Sequence, residues 1–311
     1  MVQNKKKGTL LRRGPVYFSE SDRARQEDVL ELVGRPLGWK NLTSLARLRV
    51  DVGSLKRDSL VFVKAGEREE SCHATWWYYE TLKKLGFSSL ASELIYMDWT
   101  HGGWDTCIAL EGVPERHTRM LAQKLAKPRH GLCILVEHFD GVMMQHVRGN
   151  ASLFDTPAFC ASFLRTLVLD KLCGLGDLNE HNLMIQHGTG EVMRVDISQG
   201  TRERITGEGL TSDLMPYNDR GLQTAQKLNQ LKALECTQKY VRTHFAQVAA
   251  MIRALLVFDD ALRGPGVRYV FFDDAERMLA ALEAGERTAV QRLCDDIVRY
   301  DLKRKAVLDG M

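Results

Sequence analysis

The sequence GLGDLNEHNLMIQHGTGEVMRVD, residues 174–196, carries the most specific pattern in the chain. Asp177 is followed five positions later by Asn182, which leads directly into an apolar run. A glycine-rich turn then connects this run to a second one, which ends at Asp196. Two short apolar runs joined by such a turn are typical of a β-hairpin. The spacing therefore predicts that Asp177, Asn182 and Asp196 lie at one rim of a hairpin.

These residue types match the groups that phosphoryl transfer from ATP requires. One carboxylate accepts or orients the proton of the attacking hydroxyl, while an Asn and a second carboxylate hold magnesium on the phosphates. A calcium-binding EF-hand loop does not fit, because Asn182 stands where Gly is needed and Gly188 where a bidentate Glu is needed. A dinucleotide-binding fingerprint does not fit either, because a third Gly is missing after Gly174 and Gly176.

Three further segments occur in the order that a kinase needs. Residues 59–64 are typical of a β-strand that ends at Lys64, from which an ammonium group can reach the α- and β-phosphates. A predicted helix at 67–85 follows and ends at Gly86. It carries four glutamates that are candidates to pair with the lysine: Glu67, Glu69, Glu70 and Glu80.

The third of these segments is an apolar strand that runs into a polar connection ending at Gly141. Such a connection is typical of a hinge between two lobes. Its backbone groups, including those of Glu137 and Phe139, are candidates to meet the edge of an adenine ring. We therefore expect a nucleotide to lie against this hinge.

Residues 174–185 resemble the catalytic loop of phosphoinositide-kinase-like enzymes, and more closely that of atypical protein kinases of the actin-fragmin kinase type. The likeness extends over about residues 40 to 200, and only 174–196 is specific. The resemblance implies a two-lobed kinase fold, ATP with Mg²⁺, and transfer to a Ser or Thr hydroxyl of a protein. It assigns the catalytic base to Asp177, the phosphate-binding lysine to Lys64, and the metal ligands to Asn182 and Asp196.

Departures from the kinase pattern leave two alternatives open. Asp196 is followed by Ile197-Ser198 where many kinases have Phe-Gly, and no compact glycine-rich loop precedes Lys64, so Gly53-Ser54 is the candidate phosphate-covering turn. A pseudokinase scaffold is therefore one alternative. A lipid or small-molecule kinase is the other, although residues 200–210 are mixed in charge, which disfavours a phosphoinositide substrate.

The order of predicted elements indicates an α+β protein. Candidate strands at 42–50, 60–64, 94–99, 106–110 and 132–138 occupy the first part of the chain, and helical patterns at 157–173 and beyond residue 213 dominate the rest. We predict a two-lobed protein-kinase-like fold. It comprises a flexible basic tail at 1–20, a mixed, β-rich N-lobe at 21–138 and a mainly helical C-lobe at 139–311.

Composition is that of an ordinary soluble domain, with 44% hydrophobic and 27% charged residues among 311. The net charge of +3 is too small to predict nucleic acid as a partner. No apolar segment has the length of a membrane span, and no signal peptide is recognisable. The seven scattered cysteines lack a C-x-x-C pair, which predicts buried free thiols. We expect a cytoplasmic protein whose partner is a protein substrate, cytoskeletal by family resemblance only.

Overall fold

The structure is a computed structural model. It describes residues 16–36, 42–66, 69–101, 103–104, 119, 129–147, 151–173, 175–176, 182–195, 197–199, 232–233, 236–237 and 239–256. Within these residues the protein is of the α+β class, as predicted. The chain divides into two compact units between Phe139 and Asp140. The described residues up to Phe139 are called the N-terminal unit below, and those from Asp140 onward the C-terminal unit.

One sheet organises the N-terminal unit. Its strands are β1 (Val16–Tyr17), β2 (Ala24–Arg25), β3 (Leu30–Pro36), β4 (Leu42–Leu48), β5 (Leu60–Ala65), β6 (Ser92–Asp98) and β7 (His130–Glu137). The order across the sheet is β1-β6-β7-β5-β4-β3, and β2 also pairs with β6. β1 and β2 run parallel to β6, and the other pairs are antiparallel. β5 is therefore the third strand of an antiparallel meander, β3-β4-β5.

Four of the predicted strands are confirmed, each to within two residues at either end, as β4, β5, β6 and β7. Strand pairing begins at Val16, inside the range 1–20 that we predict as a flexible tail. The strand predicted at 106–110 lies outside the described residues. The local pattern of alternating apolar residues therefore located the strands but not their order in the sheet.

Two helices belong to the N-terminal unit, α1 (Gln26–Val29) and α2 (Glu69–Lys84). α2 packs against β6 and β7, with Trp77, Tyr78 and Tyr79 buried. The predicted end of the helix is confirmed. Gly86 adopts a φ of +74°, and Phe87 donates its N–H to the carbonyl of Leu82 at 2.9 Å. These are features of a glycine-terminated helix, in which the left-handed residue lets the chain turn back onto the last carbonyls.

The C-terminal unit contains β8 (Gly141–Met143), α3 (Pro157–Cys173), β9 (Leu175–Gly176), β10 (Leu183–Gln186), β11 (Val192–Arg194), β12 (Ser198–Gln199) and α4 (Phe245–Leu256). β8, β10 and β11 form a three-stranded antiparallel sheet in the order β11-β10-β8, and β9 pairs with β12. α3 has the predicted bounds and packs against both β11 and α4. It thus lies between the hairpin and a second helix.

The environment of four cysteines agrees with the expectation from composition. Four cysteines, Cys72, Cys133, Cys160 and Cys236, are buried and form no disulfide, which confirms the prediction for these four. Among the helices of the described ranges, none is both long and apolar enough to cross a membrane.

Candidate functional site

The hairpin predicted within residues 174–196 is present in the C-terminal unit. β10 and β11 pair antiparallel, with Leu183 opposite Arg194. The turn is closed by a hydrogen bond from the N–H of Gln186 to the carbonyl of Glu191 at 2.8 Å. Gly188 and Gly190 in the turn adopt φ values of +82° and +72°. This left-handed conformation explains the glycine-rich turn, because residues with a Cβ rarely adopt it.

The pairing continues to the rim at which the metal ligands are predicted. Val195 donates its backbone N–H to the carbonyl oxygen of Asn182 at 2.9 Å, which places the two residues side by side. Asn182 is buried, with 7% of its surface exposed. Asp196 follows Val195 directly, and consecutive Cα atoms are ~3.8 Å apart. Asp196 itself lies outside the described residues.

A second pairing brings the segments around the two aspartates together. β9 pairs antiparallel with β12, with Gly176 opposite Ser198. Asp177 follows Gly176 in the chain and, like Asp196, lies outside the described residues. Asp196 comes two residues before Ser198. Each predicted residue of the rim is therefore part of a hydrogen-bonded backbone pair, or one residue from such a pair.

The residue types predicted at this rim are of the kind that Mg²⁺ prefers, because Asp and Asn carry carboxylate and amide oxygens. Within the described part of the chain, no group of three or more His, Cys, Asp or Glu side chains could hold a metal ion. That finding does not include Asp177 or Asp196, since neither is described.

Lys64 lies near the end of β5, between two other strands. It pairs with Thr43 of β4 and Ile134 of β7, and only 4% of its surface is exposed. The ammonium group of an exposed lysine at a strand end would be solvated by water. Burying an ammonium group costs free energy unless the group is paired. Lys64 therefore needs partners among the residues around it, and it does make polar interactions in the structure.

The helix α2 covers the face of the sheet that carries Lys64. Residues two apart on a strand share a face, so Leu132 and Ile134 of β7 point the same way. Tyr96 is opposite Leu132 and Lys64 is opposite Ile134 in the register. The hydroxyl of Tyr96 donates to the carboxylate of Glu69, in the first turn of α2, at 2.6 Å. Lys64 and the beginning of α2 therefore lie on the same side of the sheet.

The other face of the sheet is an apolar core. Val61, Val63 and Ala65 alternate with Lys64 along β5 and belong to one buried cluster that also contains Cys133 and Leu135 of β7. Burial of this face fixes the register of β5, because a slip of one residue would exchange the two faces. It thereby also determines that Lys64 points to the α2 side.

Two of the four candidate glutamates of the α2 region are engaged elsewhere. Glu69 accepts the hydroxyl of Tyr96, and the carboxylate of Glu80 lies 3.6 Å from the ammonium group of Lys83. The side chain of Glu70 is not described, and Glu67 lies outside the described residues. Glu70 thus stays a predicted partner of the strand lysine.

Fewer backbone groups of the predicted hinge segment are available to an adenine ring than the sequence suggests. The N–H of Glu137 donates to the carbonyl of Ala91 at 2.8 Å, and its carboxylate accepts the N–H of Ala91 at 3.1 Å. The N–H of His138 donates to the carbonyl of Leu60 at 2.9 Å. Phe139 is buried, with 3% of its surface exposed. Since the N–H groups of Glu137 and His138 are already used, an adenine edge would have to meet other backbone groups here.

Gly53-Ser54, our candidate phosphate-covering turn, lies at the wrong end of the sheet for that role. It belongs to the connection from β4 to β5, which enters β5 at Leu60. Lys64 is four residues further along β5, which is ~13 Å of extended strand. The N–H and hydroxyl of Ser54 also donate to the carboxylate of Glu93, at 2.7 and 2.6 Å. The end of β5 that carries Lys64 lies beside the start of β4 instead, with Leu42 opposite Ala65.

Sequence reasoning missed two buried polar groups that shape these units. Glu93, 7% exposed, joins β6 to the turn at Ser54. Ser162, fully buried in α3, accepts the backbone N–H of Val192 at 2.8 Å. Neither carries a local sequence signal, because their partners are 39 and 30 residues away.

No protein-family model matches the chain, and no curated protein matches it.

Proposed function

We propose that this protein is an ATP-dependent kinase that transfers a phosphoryl group to a Ser or Thr hydroxyl of a protein substrate, and that it is similar in kind to actin-fragmin kinase. The proposal rests chiefly on one observation. The two backbone pairings, Asn182 with Val195 and Gly176 with Ser198, tie the segments carrying Asp177, Asn182 and Asp196 to one region of the C-terminal unit. A base and two metal ligands carried by these segments would be able to act on one phosphate.

The position of Lys64 supports the same proposal. In protein kinases a lysine on the third strand of the N-lobe pairs with the phosphates and with a glutamate of the following helix. Lys64 lies on the third strand of the β3-β4-β5 meander and faces the side covered by α2, the helix that follows it. In this proposal the N-terminal and C-terminal units are the two lobes, with Phe139 and Asp140 at their boundary.

Each residue has a defined role in the proposed reaction. Asn182 and Asp196 would hold Mg²⁺, which when bound would neutralise negative charge on the nucleotide phosphates. Lys64 binds the α- and β-phosphates, and Glu70 orients its ammonium group. Asp177 accepts or orients the proton of the substrate hydroxyl.

Several finer features belong to the proposal as well. The adenine lies against the hinge, near Glu137 and Phe139. The substrate is a protein, cytoskeletal by family resemblance only, and the protein acts in the cytoplasm without inserting into a membrane. None of the described helices could span one.

A transfer assay with labelled ATP and Mg²⁺ tests the proposal. The protein is incubated with a heat-treated cell lysate as a source of protein substrates, and the labelled products are separated by gel electrophoresis and by lipid extraction. We expect Mg²⁺-dependent labelling of protein on Ser or Thr, abolished by Asp177→Ala. Label that enters only the lipid or small-molecule fraction would instead support a kinase of those substrates.

A pseudokinase would give a different result. It would label nothing, and nucleotide binding measured by calorimetry would be weak or independent of Mg²⁺. Loss of labelling together with intact Mg²⁺-dependent ATP binding would point to a missing substrate, so binding is measured alongside transfer. Absence of both would reject the kinase proposal.

A further inference from the structure

One backbone N–H of the hairpin points away from its partner strand and is buried. The bonds from Val195 to Asn182 and from Gln186 to Glu191 lie between β10 and β11. In antiparallel pairs the bonded residues alternate, so the N–H of Val192 is directed away from β10. It meets the hydroxyl of Ser162, in α3, at 2.8 Å.

The hydroxyl of Ser162 both donates and accepts a hydrogen bond. It donates to the carbonyl of Ala158 at 2.7 Å, within its own helix, with the carbonyl of Phe159 at 3.0 Å as a second acceptor. Its lone pair is then directed to the N–H of Val192. A serine hydroxyl has one proton and two lone pairs, so this geometry orients it fully. Since Ser162 is fully buried, water cannot replace either bond.

This bond joins the two elements that lead to the proposed site. α3 ends at Cys173 and leads through β9 to Asp177, the proposed base. β11 leads from Val192 to Asp196, a proposed metal ligand. A shift of the helix along the strand would therefore change the separation of the two carboxylates.

We propose that Ser162 is a positioning residue, which fixes the register of α3 on β11 and thereby the placement of Asp177 relative to Asp196. The inference rests on the proposed kinase function for its catalytic consequence. A directed hydrogen bond fixes the position of one element along the other, whereas apolar contact is not directional. A displacement of about 1 Å at reacting groups can reduce a rate by about 10²-fold.

Matched variants of α3 isolate this bond. Ser162→Ala removes the acceptor for Val192. Thr166 lies one turn further along α3, and its buried hydroxyl donates to the carbonyl of Ser162. Thr166→Val therefore removes a hydrogen bond within the helix but none to β11. Ser162→Thr and Ser162→Val form a second pair of nearly equal shape, of which only Thr keeps a hydroxyl. Comparison within that pair stays informative if the added methyl group lowers stability.

Two measurements are made on the full-length protein and these variants. The first is kcat and the Mg²⁺ dependence of transfer. We expect Ser162→Ala to lower kcat by about tenfold or more and to raise the Mg²⁺ requirement, with little change in the KM for protein substrate. Thr166→Val should leave these values within about twofold of wild type, and Ser162→Thr should exceed Ser162→Val in kcat.

The second measurement is amide hydrogen exchange, which needs no activity. Protection of Val192 should fall by about tenfold or more in Ser162→Ala and not in Thr166→Val, relative to the internal reference Met184. Equal protection of Val192 in both variants would overturn the proposal. So would wild-type kcat and Mg²⁺ dependence in a Ser162→Ala protein that has lost that protection.

Failure of the proposed kinase function gives a separate result. If the wild-type protein transfers no phosphate, amide hydrogen exchange at residues 193–195 reports the register of α3 on β11. Loss of protection that spreads from Val192 to Val195 in Ser162→Ala would support a positioning role for the hydroxyl in the hairpin. Loss confined to Val192 would overturn it.

Discussion

The backbone N–H of Val195 donates to the carbonyl oxygen of Asn182 at 2.9 Å, one pair beyond Leu183 and Arg194, which pair at the start of β10 and the end of β11. The bond holds the residue before Asp196 beside the buried Asn182 by a main-chain contact. In the proposed function, groups placed by strand pairing need little rearrangement to bind a common ligand, which favours preorganised electrostatic stabilisation.

The two aspartates should have separable roles. Asp177→Ala should abolish transfer, by about 10²-fold or more, because it removes the proposed base. It should leave Mg²⁺-dependent ATP binding nearly unchanged. Asp196→Ala should weaken that binding, since it removes a metal ligand. Transfer kinetics and calorimetric titration of ATP with and without Mg²⁺ measure the two effects.

An exposed carboxylate in the same unit provides the control for these variants. Asp155 pairs with Lys239 at 3.3 Å on the surface, so Asp155→Ala should leave both transfer and binding unchanged. If Asp177→Ala and Asp196→Ala transfer phosphate at the wild-type rate, the catalytic roles assigned here are wrong.

Lys64→Met should reduce ATP affinity and transfer while the protein remains folded. Methionine keeps much of the volume of the buried side chain but lacks the ammonium group that is proposed to bind phosphates. We expect a loss of transfer of about 10²-fold or more. Lys83→Met, on the exposed last turn of α2, is the matched control and should behave like wild type. Equal activity of the two variants would remove Lys64 from the site.

Gly53→Ala should lower the free energy of unfolding more than Gly188→Ala does. Both glycines have positive φ, at +55° and +82°, so either alanine incurs backbone strain of ~1–2 kcal/mol. At Gly53 a Cβ would in addition overlap the carboxyl group of Glu93 and lie against the hydroxyl of Tyr17, whereas at Gly188 nothing lies within 4 Å. Denaturant unfolding of both variants measures the difference. Similar losses would mean that the turn at Gly53 rearranges freely.

Stability should decrease at alkaline pH because of Cys160. Burial raises the pKa of its thiol to about 12 from an ordinary 9.0, with the neighbouring Cys236 adding to the effect. A raised acid pKa means that the folded state favours the neutral thiol. The stabilisation is complete below the unfolded pKa and is lost as pH rises from 9.0 toward about 12.

Comparison with Cys160→Ala isolates this contribution. The variant is less stable in absolute terms because it leaves a small cavity, but its free energy of unfolding should fall less steeply between about pH 8 and about pH 10. Equilibrium unfolding at several pH values measures both slopes. Parallel curves for the two proteins would show that Cys160 does not ionise on unfolding in this range.

Local pattern was enough to locate most of the elements that could be compared. The apolar runs of β10 and β11, joined by glycines that must adopt positive φ, predicted the hairpin. The alternation of apolar residues along β5 predicted that Lys64 lies near the end of a strand. Gly86 was correctly predicted to follow the end of α2. Such features depend on residues within a few positions of each other, so they can be recognised in a single sequence.

Pairings over long distances could not be predicted in this way. Nothing local indicates that β7 lies between β5 and β6, or that β1 joins the sheet parallel to β6. The assignment of Gly53-Ser54 as a phosphate cover failed for this reason. Its turn composition was recognisable, but its distance from Lys64 depends on the direction in which β4 and β5 are paired.

The sequence by itself determined the residue types at the proposed site, their spacing, and the hairpin that brings Asn182 beside Val195. Only the tertiary structure decided that Lys64 is buried on the α2 side, that Glu93 holds Ser54, and that Ser162 holds Val192. The physical reason is that backbone conformation follows from short-range sterics and hydrogen bonding. The choice of distant partners follows instead from burying apolar faces and satisfying buried polar groups over the whole unit at once.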